Sequence, residues 1–570
     1  MSKKILSGNE AVAWGAYVAG VKIATAYPGT PSTEILESLA KFDEVNAHWC
    51  TNEKVALDVA SGASFCGIRS MVAMKHVGLN VASDALVTLA YTGVEGGLVV
   101  VTCDDPFAHS SQNEQDNRNY ARLAKLPLFE PSDSEEAYQM VKEAFELSEK
   151  FSIPVLVRLT TRISHAKGVV DVEGRKEILR EPHFPRDPSR WVMIPAHARK
   201  AHEVLERKIL KLKEYSEKTP FNQILPGKEN WGIITSSIAY QYVKEAFPEA
   251  WILKIGFSYP LPEKKIKDFS ERLEEVWVIE ELDPILEKEV KALGISVKAK
   301  PLAYYTGELS VEKVRRIIKG DSGISESNPQ IPSRPPLLCA GCPHRGVFYV
   351  LKKLGCIVTG DIGCYTLACL PPLSSIDTCV AMGSGVGHLA GMERAGEKGP
   401  KVAVIGDSTF FHAGIPPLID LIYNFTPSTV IILDNHTTAM TGHQDHPGTG
   451  ITLKGGKGRA ISIKKLVEGL GVKNVREVDP YNLKETEKVI KEELGKKDVS
   501  VIISTRPCVL LEKREYTPLK VIEEKCKNCG KCLTLGCPAL YQKEGRVVID
   551  PLLCTGCGMC KEVCPFQAIE

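Results

Sequence analysis

The segment Lys401–Ser408 reads KVAVIGDS and decides the fold of the region around it. An apolar, β-branched run such as KVAVI is typical of a buried strand, and here it ends directly in Gly-Asp-Ser. The segment Ser428–Leu433, STVIIL, is a second such run, and Asp434 and Asn435 follow it. Because ligands of open α/β sheets bind at the carboxyl ends of the strands, these two strand ends predict a binding site.

Most of the chain repeats this alternation of short apolar runs with longer helical patterns, which is the signature of parallel α/β sheets. Further strand candidates are Leu98–Thr102, Pro154–Leu159 and Val499–Ile503. We therefore predict an α/β, multidomain protein.

Composition suggests where the 570 residues divide, because so long a chain exceeds one hydrophobic core. A charged helical stretch near Lys200 to Lys218 precedes a fresh strand at Trp231, and Asp321–Pro336, rich in Ser and Pro, is predicted to be a linker. The charged connector Leu511–Lys520 precedes a cysteine-rich tail. The predicted domains are residues 1–200, 201–325, 326–510 and 511–570.

Composition also argues against several kinds of partner. A formal charge of +1 disfavours a nucleic-acid-binding surface, which needs many clustered Lys and Arg. The first residues lack the apolar core of a signal peptide, and no run approaches the ~18 apolar residues of a membrane span. We therefore expect a cytoplasmic protein with no nucleic-acid and no membrane partner.

Cysteines concentrate in the tail, where eight of the 18 lie in the last 45 residues. Clustered cysteines of a cytosolic protein bind metal more often than they form disulfides. The tail contains two motifs: Cys526-x2-Cys529-x2-Cys532-x4-Cys537-Pro and Cys554-x2-Cys557-x2-Cys560-x3-Cys564-Pro. In two-cluster ferredoxins the fourth Cys of each motif, followed by Pro, ligates the other cluster. This predicts two 4Fe–4S clusters, held by Cys526, Cys529, Cys532 and Cys564, and by Cys554, Cys557, Cys560 and Cys537.

The tail resembles bacterial-type ferredoxins, with one extra residue before Cys537. We expect that residue to bulge the turn while ligation is kept. The alternative is a pair of zinc knuckles, which need four ligands per metal and no exchange of the Cys-Pro ligands.

Asp407 and Asn435 offer a carboxylate and an amide oxygen at neighbouring strand ends. Such a pair suits a Mg2+ that takes its other ligands from water and phosphate oxygens. The two strand ends resemble the thiamine diphosphate motif, usually Gly-Asp-Gly followed by Asn-Asn, although Ser408 replaces the last Gly and Asp434 the first Asn. The same dipeptides are also common turn formers.

Three further motifs place polar or small residues at helix starts. Tyr27–Glu34, YPGTPSTE, is a turn leading into a helix, and Asn52–Ser64, NEKVALDVASGAS, is a small-residue helix. Met382–Gly391, MGSGVGHLAG, is a glycine-rich turn whose glycines either admit a phosphate or allow close helix packing. Glu53 is either an acid that complements a helix N-terminus or an acid that activates a cofactor.

In this order the motifs resemble the 2-oxoacid:ferredoxin oxidoreductases, and most closely the α subunits of the indolepyruvate enzymes, over nearly the whole chain. The resemblance implies two thiamine-diphosphate-binding parallel-sheet domains, for the pyrimidine and the diphosphate, around a transketolase-C-terminal-like domain, with the ferredoxin-like domain last. It implies that Glu53 activates the cofactor and that Thr30 lies near the substrate carboxylate. The residues implied to hold the cofactor and its Mg2+ are Gly383, Gly385, Gly406, Asp407, Ser408, Asn435 and Thr437, with Asp407, Asn435 and the Thr437 carbonyl on the metal.

Related enzymes also hold a third 4Fe–4S cluster, which would use Cys339, Cys342, Cys364 and Cys508 here. The alternatives are four unconnected buried thiols, or Cys379 as the fourth ligand. Five histidines lie in suspected site loops, and we expect most of them to be structural: His76, His109, His344, His388 and His436. His436, between Asn435 and Thr437, is the first of them to substitute.

The resemblance implies oxidative decarboxylation of aryl pyruvates such as indolepyruvate to acyl-CoA and CO2, with electrons passed through the clusters to ferredoxin. It also implies a smaller β subunit in an α2β2 heterotetramer. One alternative is another 2-oxoacid, pyruvate or 2-oxoglutarate. Others are a non-oxidative thiamine-dependent decarboxylase, which leaves the tail unexplained, and a non-catalytic electron-transfer subunit, which leaves Glu53 idle.

Overall fold

The computed structural model describes residues 2–175, 178, 180–320, 335–511 and 516–570. The chain divides into two compact units, Met1–Ser327 and Asn328–Glu570. Most of the predicted linker Asp321–Pro336, and residues 512–515 of the predicted connector, lie outside the described residues. Among the described helices, none combines the length and the apolar character needed to cross a bilayer.

The first unit contains a seven-stranded sheet that is parallel except for one edge strand. Its strands, in spatial order, are Phe257–Tyr259, Leu128–Phe129, Val155–Thr160, Leu98–Asp104, Ser70–Lys75, Ile23–Ala26 and Asn46–Trp49. The antiparallel edge strand Phe257–Tyr259 comes from the region that follows the long helix Pro195–Lys218. A separate antiparallel pair joins Ser2–Ser7 to Lys167–Val172.

A second, five-stranded sheet of the same unit lies in the predicted middle domain. Its strands, in spatial order, are Lys298–Ala299, Glu275–Ile279, Trp231–Ser236, Trp251–Ile255 and Asn222–Leu225. Only the last of these runs antiparallel to its neighbour. The helices of the first unit are Gly8–Val18, Thr33–Leu39, Glu53–Phe65, His76–Thr92, Arg118–Ala124, Ser134–Phe151, Thr161–His165, Pro188–Trp191, Pro195–Lys218, Ala239–Ala246, Glu263–Ser270, Ile285–Ala292 and Val311–Ile318.

The second unit is built on a five-stranded, wholly parallel sheet. Its strands, in spatial order, are Ile357–Thr359, Lys401–Gly406, Thr429–Asp434, Ser500–Thr505 and Asn474–Val478. The principal helices are His344–Leu354, Ser384–Ala395, Ile415–Tyr423, Ile463–Gly469, Leu483–Leu494 and Met559–Val563. The tail adds one hairpin, formed by Leu540–Lys543 and Arg546–Ile549.

Side chains alternate between the two faces of the central strands of this sheet. Val402 and Val404 pack into one core, while Ala403 and Ile405 pack into the other. Because helices cover both faces of a parallel sheet, such strands are apolar throughout, and each buried Val or Ile contributes roughly 1.5–3 kcal/mol. The two predicted strands that open the site, KVAVI and STVIIL, are therefore adjacent and fully buried, and the predicted α/β class is confirmed.

Candidate active site

The strand ends of the second unit bring Asp407, Asn435 and Thr437 together, because Gly406 pairs with Leu433 in adjacent parallel strands. One terminal atom of the Asn435 amide lies 2.9 Å from the Thr437 carbonyl oxygen and 3.2 Å from each Asp407 carboxylate oxygen. An amide nitrogen in that position would donate to these oxygens, whereas an amide oxygen would complete a group of converging oxygens. Neighbouring ligands of an octahedral Mg2+ at 2.0–2.1 Å stand about 3 Å apart, so the oxygen arrangement fits that ion.

His446 is the partner of Asp407 on the opposite side. Its Nε2 lies 3.1 Å from Oδ2 of Asp407, and both side chains are buried. Burial opposes ionisation of Asp407, but the His446 ring and the Ser408 N–H outweigh it and lower the pKa of Asp407. Burial and the neighbouring Asp407 raise the pKa of Asp434. Asp407 is therefore the carboxylate that is held in its charged form, as its predicted role as a Mg2+ ligand requires.

The hydroxyl groups beside this site fix its loops. Thr438 donates through Oγ1 to Oγ of Ser408 at 2.9 Å, which links the residue after Asp407 to the residue after Thr437. His436 lies between Asn435 and Thr437 with a left-handed φ of 60°, and its Nε2 is 3.6 Å from Asp434. The hydroxyl of Ser408 thus has a structural use that the missing Gly of the usual motif could not supply.

The glycine-rich turn packs tightly against the same end of the sheet. A Cβ on Gly383 would lie 2.4 Å from the Ala413 carbonyl oxygen, and one on Gly385 would lie 2.7 Å from the Gly360 carbonyl oxygen. The Gly385 N–H also donates to Oδ2 of Asp361 at 3.3 Å. Close packing therefore accounts for both glycines, and their contact with a phosphate stays a prediction.

Glu53 begins the helix Glu53–Phe65 in the first unit, where the Asn52 side chain caps the helix by accepting from the Val55 N–H at 2.9 Å. The Glu53 side chain is buried and packs on Gly78, at which a Cβ would lie 2.6 Å from Oε1 of Glu53. A buried acid on a glycine surface leaves its carboxylate in a fixed place, which suits a group that must meet one nitrogen of a cofactor.

Thr30 reaches the same junction between the strand Ser70–Lys75 and the helix His76–Thr92. Gly29 packs on Lys75, with 3.1 Å from a built Cβ to the Lys75 Cβ, and Oγ of Ser110 is 3.4 Å from the Thr30 carbonyl oxygen. The Lys75 Nζ donates to the Ser110 carbonyl, and burial lowers the pKa of Lys75 to about 8 although Asp105 opposes that shift. Gly29, beside Thr30, therefore packs on Lys75 at the end of this strand, and Glu53 packs on Gly78 three residues later in the helix that follows.

Like His436, the other four suspected histidines have structural partners. His76 is buried with Nε2 3.2 Å from Oδ1 of Asn113, and burial lowers its pKa to about 4. His344 is also buried, its ring meets Tyr365 edge-on, and burial lowers its pKa to about 4. His109 pairs with Glu308 at 3.3 Å, and Nδ1 of His388 lies 3.3 Å from Oγ1 of Thr378.

The tail cysteines lie close enough to one another to raise one another's pKa values, and their division into two cluster-binding groups stays a prediction. Burial, and then the thiols of Cys564, Cys526 and Cys529, raise the pKa of Cys532. Burial, and then Cys557, Cys554 and Cys537, raise the pKa of Cys560 to about 12. We call Cys526, Cys529, Cys532 and Cys564 the distal set, and Cys537, Cys554, Cys557 and Cys560 the medial set. The fourth Cys of each motif therefore lies near the other motif.

The extra residue before Cys537 is taken up in a short 3-10 helix, Lys531–Leu535. Gly536 ends that helix with a left-handed φ of 66°. The segment before Cys537 is thus a short 3-10 helix, and the bulge caused by the extra residue stays a prediction.

A third group contains Cys339, Cys342, Cys364 and Cys508, which we call the proximal set. Burial and the thiols of Cys339 and Cys364 raise the pKa of Cys342 to about 12. Burial and the thiols of Cys508 and Cys339 raise the pKa of Cys364 to about 11. Cys379, the alternative fourth ligand, instead lies against the Asp361 carbonyl and Cys369.

Within the described ranges, no group of three or more His, Cys, Asp or Glu side chains is spaced to hold a single metal ion. Each corner iron of a 4Fe–4S cluster takes one thiolate, so its four cysteines stand farther apart than the ligands of one ion. The presence and number of clusters therefore stay predictions that rest on the three sets.

The loops that carry the proximal and medial sets are in direct contact. Gly341, between Cys339 and Cys342, lies so close to Thr555, between Cys554 and Cys557, that a Cβ on Gly341 would be 2.1 Å from Oγ1 of Thr555. The Tyr481 hydroxyl donates to the Gly341 carbonyl. At the other side of the proximal set, the Cys508 N–H donates to the Asn435 carbonyl at 3.0 Å.

Three residues of the site region have no signal in the sequence that predicts their contacts: His446, Lys75 and Arg345. His446 follows Asp407 by 39 residues, and no spacing rule connects them. Lys75 and Arg345 do stand at recognisable places, the end of a buried strand and the Cys-Pro-His-Arg segment, but their burial comes from tertiary contacts that no local pattern contains.

Three parts of the chain match models of known families. Residues 14–218 match the thiamine-diphosphate-binding domain of pyruvate flavodoxin/ferredoxin oxidoreductases, and residues 361–504 match the C-terminal TPP-binding domain of thiamine pyrophosphate enzymes. Residues 547–570 match a 4Fe-4S binding domain. These matches confirm thiamine-diphosphate-binding domains in both units and a ferredoxin motif in the tail.

The chain is also similar, over its whole length, to curated archaeal proteins called indolepyruvate oxidoreductase subunit IorA. It is 43% identical to the one from Methanothermobacter thermautotrophicus, with 100% of this chain and 97% of that protein covered. It is 44% identical to the one from Methanothermobacter marburgensis, with 99% of this chain and 97% of that protein covered. It is 42% identical to the one from Archaeoglobus fulgidus, with 100% of this chain and 97% of that protein covered.

Proposed function

Because the chain belongs to the family of indolepyruvate oxidoreductase IorA subunits, and so is the catalytic subunit of a thiamine-diphosphate-dependent 2-oxoacid:ferredoxin oxidoreductase, we propose that it oxidatively decarboxylates aryl pyruvates. In the proposed reaction the bond between the keto carbon and the carboxylate breaks, and a thioester to coenzyme A forms. CO2, one proton and two electrons leave, and the electrons go to ferredoxin. The relatives are called indolepyruvate oxidoreductase subunits, and that name supports indolepyruvate as the substrate.

Bound thiamine diphosphate would supply the nucleophilic carbon for decarboxylation, and 4Fe–4S clusters would accept electrons singly. Asp407, Asn435 and the Thr437 carbonyl would hold the Mg2+ of the diphosphate, and His446 keeps Asp407 in place. Glu53 would hold the proton exchanged with the aminopyrimidine ring, from a buried position fixed by Gly78. Thr30 would contact the substrate carboxylate, next to the Lys75 junction.

One observation carries the oxidative part of the proposal. The proximal set touches the metal-site loop through Cys508 and Asn435, and touches the medial set through Gly341 and Thr555. Three groups of thiols therefore follow one another from the diphosphate site to the tail. A non-oxidative decarboxylase has no use for such a series, whereas an oxidase that passes on two electrons does.

The order of the sets in space sharpens the role of the tail. The medial set, which takes three of its four cysteines from the second motif of the tail, is the one beside the proximal set. The distal set includes Cys529, which is exposed and lies between the exposed residues Lys527 and Lys531. We infer that electrons leave for ferredoxin there.

A partner subunit belongs to the proposal as well. The relatives are named as subunits of an oxidoreductase, which supports a partner subunit. We propose that this partner is a smaller β subunit and that the assembly is α2β2.

The test is anaerobic reduction of ferredoxin by the chain purified with its partner subunit. Indolepyruvate, phenylpyruvate, 4-hydroxyphenylpyruvate, pyruvate and 2-oxoglutarate are compared, each with and without coenzyme A and thiamine diphosphate. We expect reduction with the aryl substrates only, dependent on both additions. A preference for pyruvate or 2-oxoglutarate would overturn the substrate assignment. Release of aldehyde and CO2 without ferredoxin reduction would overturn the oxidative reaction.

A further inference from the structure

Arg345 is a buried cation located between the proximal and medial sets. Only 2% of the residue is exposed. Its Nη1 donates to the Leu535 carbonyl at 2.7 Å, and its Nη2 donates to the carbonyls of Leu338 and Cys339 at 2.7 and 3.1 Å. The guanidinium therefore joins the segment that contains Leu338 and Cys339 to the loop that precedes Cys537.

Among the residues that the structure describes, Arg345 has carbonyl oxygens as hydrogen-bond partners and forms no ion pair with a carboxylate. The hydrogen bonds above go to main-chain oxygens, and its buried Nε has no hydrogen-bond partner among the described residues. Gly536, whose φ is 66°, makes room for the side chain, because a Cβ there would lie 3.3 Å from Nη1. A buried guanidinium stays charged and is costly to keep without a counter-charge.

Both sets of cysteines lie close to the guanidinium. Arg345 donates to the carbonyl of Cys339, a member of the proximal set, and to the carbonyl of Leu535, two residues before Cys537 of the medial set. Arg345 also lines one cavity together with the four cysteines of the medial set. One cation thus acts on both groups at the point where Gly341 touches Thr555.

We propose that Arg345 is the shared counter-ion of two neighbouring 4Fe–4S clusters, on the proximal and medial sets, and that it raises the reduction potential of both. The inference rests on the cluster assignments of the proposed function. A cluster with four thiolates is an anion that gains one further negative charge on reduction. A fixed buried cation therefore stabilises the reduced form more than the oxidised form, and little solvent is present to screen it. Arg345 is a positioning residue, since it acts through the clusters and touches no substrate.

Arg345 should also keep the reduction potentials of the two clusters matched to each other. A cation between two clusters shifts both potentials in the same direction, so it lowers the energy of an electron on either cluster without opposing transfer between them. The distal set is not linked to Arg345 by any of these contacts. Its cluster should keep its potential when Arg345 is replaced, and it serves as an internal reference.

The experiment is an EPR-monitored redox titration of the full chain with its partner subunit, with chemical mediators and without any 2-oxoacid. In Arg345→Gln we expect the ratio of reduced to oxidised proximal and medial clusters, at a fixed potential, to fall about tenfold, which is about 59 mV for a one-electron couple. Arg345→Lys keeps the charge and should stay within about threefold of wild type. Arg394→Gln, at a 52% exposed arginine of the same unit, is the matched control and should change nothing.

Equal ratios in wild type and Arg345→Gln, with iron retained, would overturn the proposal and leave Arg345 a purely structural residue, visible only as a lower melting temperature. If Arg345→Gln loses iron, the result for Arg345→Lys decides. A ratio of reduced to oxidised clusters in Arg345→Lys equal to that of wild type supports the proposal, and a tenfold lower ratio overturns it. A wild-type protein with only two clusters overturns the cluster assignment and this inference together. Because no 2-oxoacid is used, a wrong substrate assignment would leave the titration unaffected.

Discussion

The backbone N–H of Cys508 donates a hydrogen bond of 3.0 Å to the carbonyl oxygen of Asn435. One residue is a proposed cluster ligand, and the other is a proposed magnesium ligand. They lie at the ends of adjacent parallel strands, since Asp434 pairs with Thr505 in the sheet. The sheet itself therefore fixes how near the first electron acceptor can lie to the diphosphate site.

Replacement of Cys508 tests this proximity. In Cys508→Ala we expect iron to fall from about twelve to about eight atoms per chain, because a 4Fe–4S cluster needs its four thiolates. Iron analysis and EPR measure this, and Cys379→Ala is the matched control, which should keep all the iron. Full iron in Cys508→Ala would remove the residue from the proximal set.

Glu53→Gln tests the activating acid. The amide keeps the size of the side chain and its contact with Gly78 but cannot exchange the proton, so we expect kcat to fall by about 10²- to 10⁴-fold. Initial rates of ferredoxin reduction measure the loss, with the iron content as a check that the clusters are intact. Wild-type activity with intact clusters would contradict the proposed role.

His446→Asn tests the residue that holds Asp407. Loss of a partner that orients a metal ligand typically weakens metal affinity about 10- to 100-fold, so more Mg2+ should be needed for half-maximal activity. Titration of Mg2+ at saturating thiamine diphosphate measures this, and excess Mg2+ should restore most of kcat. An unchanged Mg2+ requirement would show that the ring of His446 is dispensable.

These positions also show how far the sequence alone could lead. The strands that carry Asp407 and Asn435 were predictable, because an unbroken β-branched run that ends in polar residues reports a buried parallel strand. The grouping of Cys537 with the second tail motif was predictable from spacing. His446 and Arg345 were not, since their roles come from segments that fold back onto the site.

The charges around the distal set test the proposed exit. Lys527 and Lys531 are exposed on either side of Cys529. In the double variant Lys527→Glu, Lys531→Glu we expect kcat/KM for an acidic ferredoxin to fall about tenfold at low salt, because electrostatic steering is reversed. Viologen reduction should be unchanged, and Lys398→Glu, at another exposed lysine of this unit, is the control. Equal losses with viologen would point to damage of the cluster instead.

Lys75 gives a prediction for pH dependence. Burial lowers its pKa from 10.5 to about 8, so between these values the unfolded chain holds a proton that the folded chain lacks. Stability due to Lys75 therefore rises with pH across that window. Relative to Lys75→Met, the free energy of unfolding of the first unit should rise by roughly 1–3 kcal/mol from pH 8 to pH 10.5. A constant difference in denaturation measurements would contradict the assignment.

The exchange of Cys537 and Cys564 between the tail motifs bears on how the protein is made. The distal set contains the three cysteines of the earlier motif, yet it is complete only when Cys564 has been synthesised, and the medial set needs a cysteine made before its own motif. On the predicted ligation, the medial cluster cannot be completed before Cys560 is made, and the distal cluster cannot be completed before Cys564, the last cysteine of the chain, is made. A fragment cut between the two motifs would then lack ligands of both clusters.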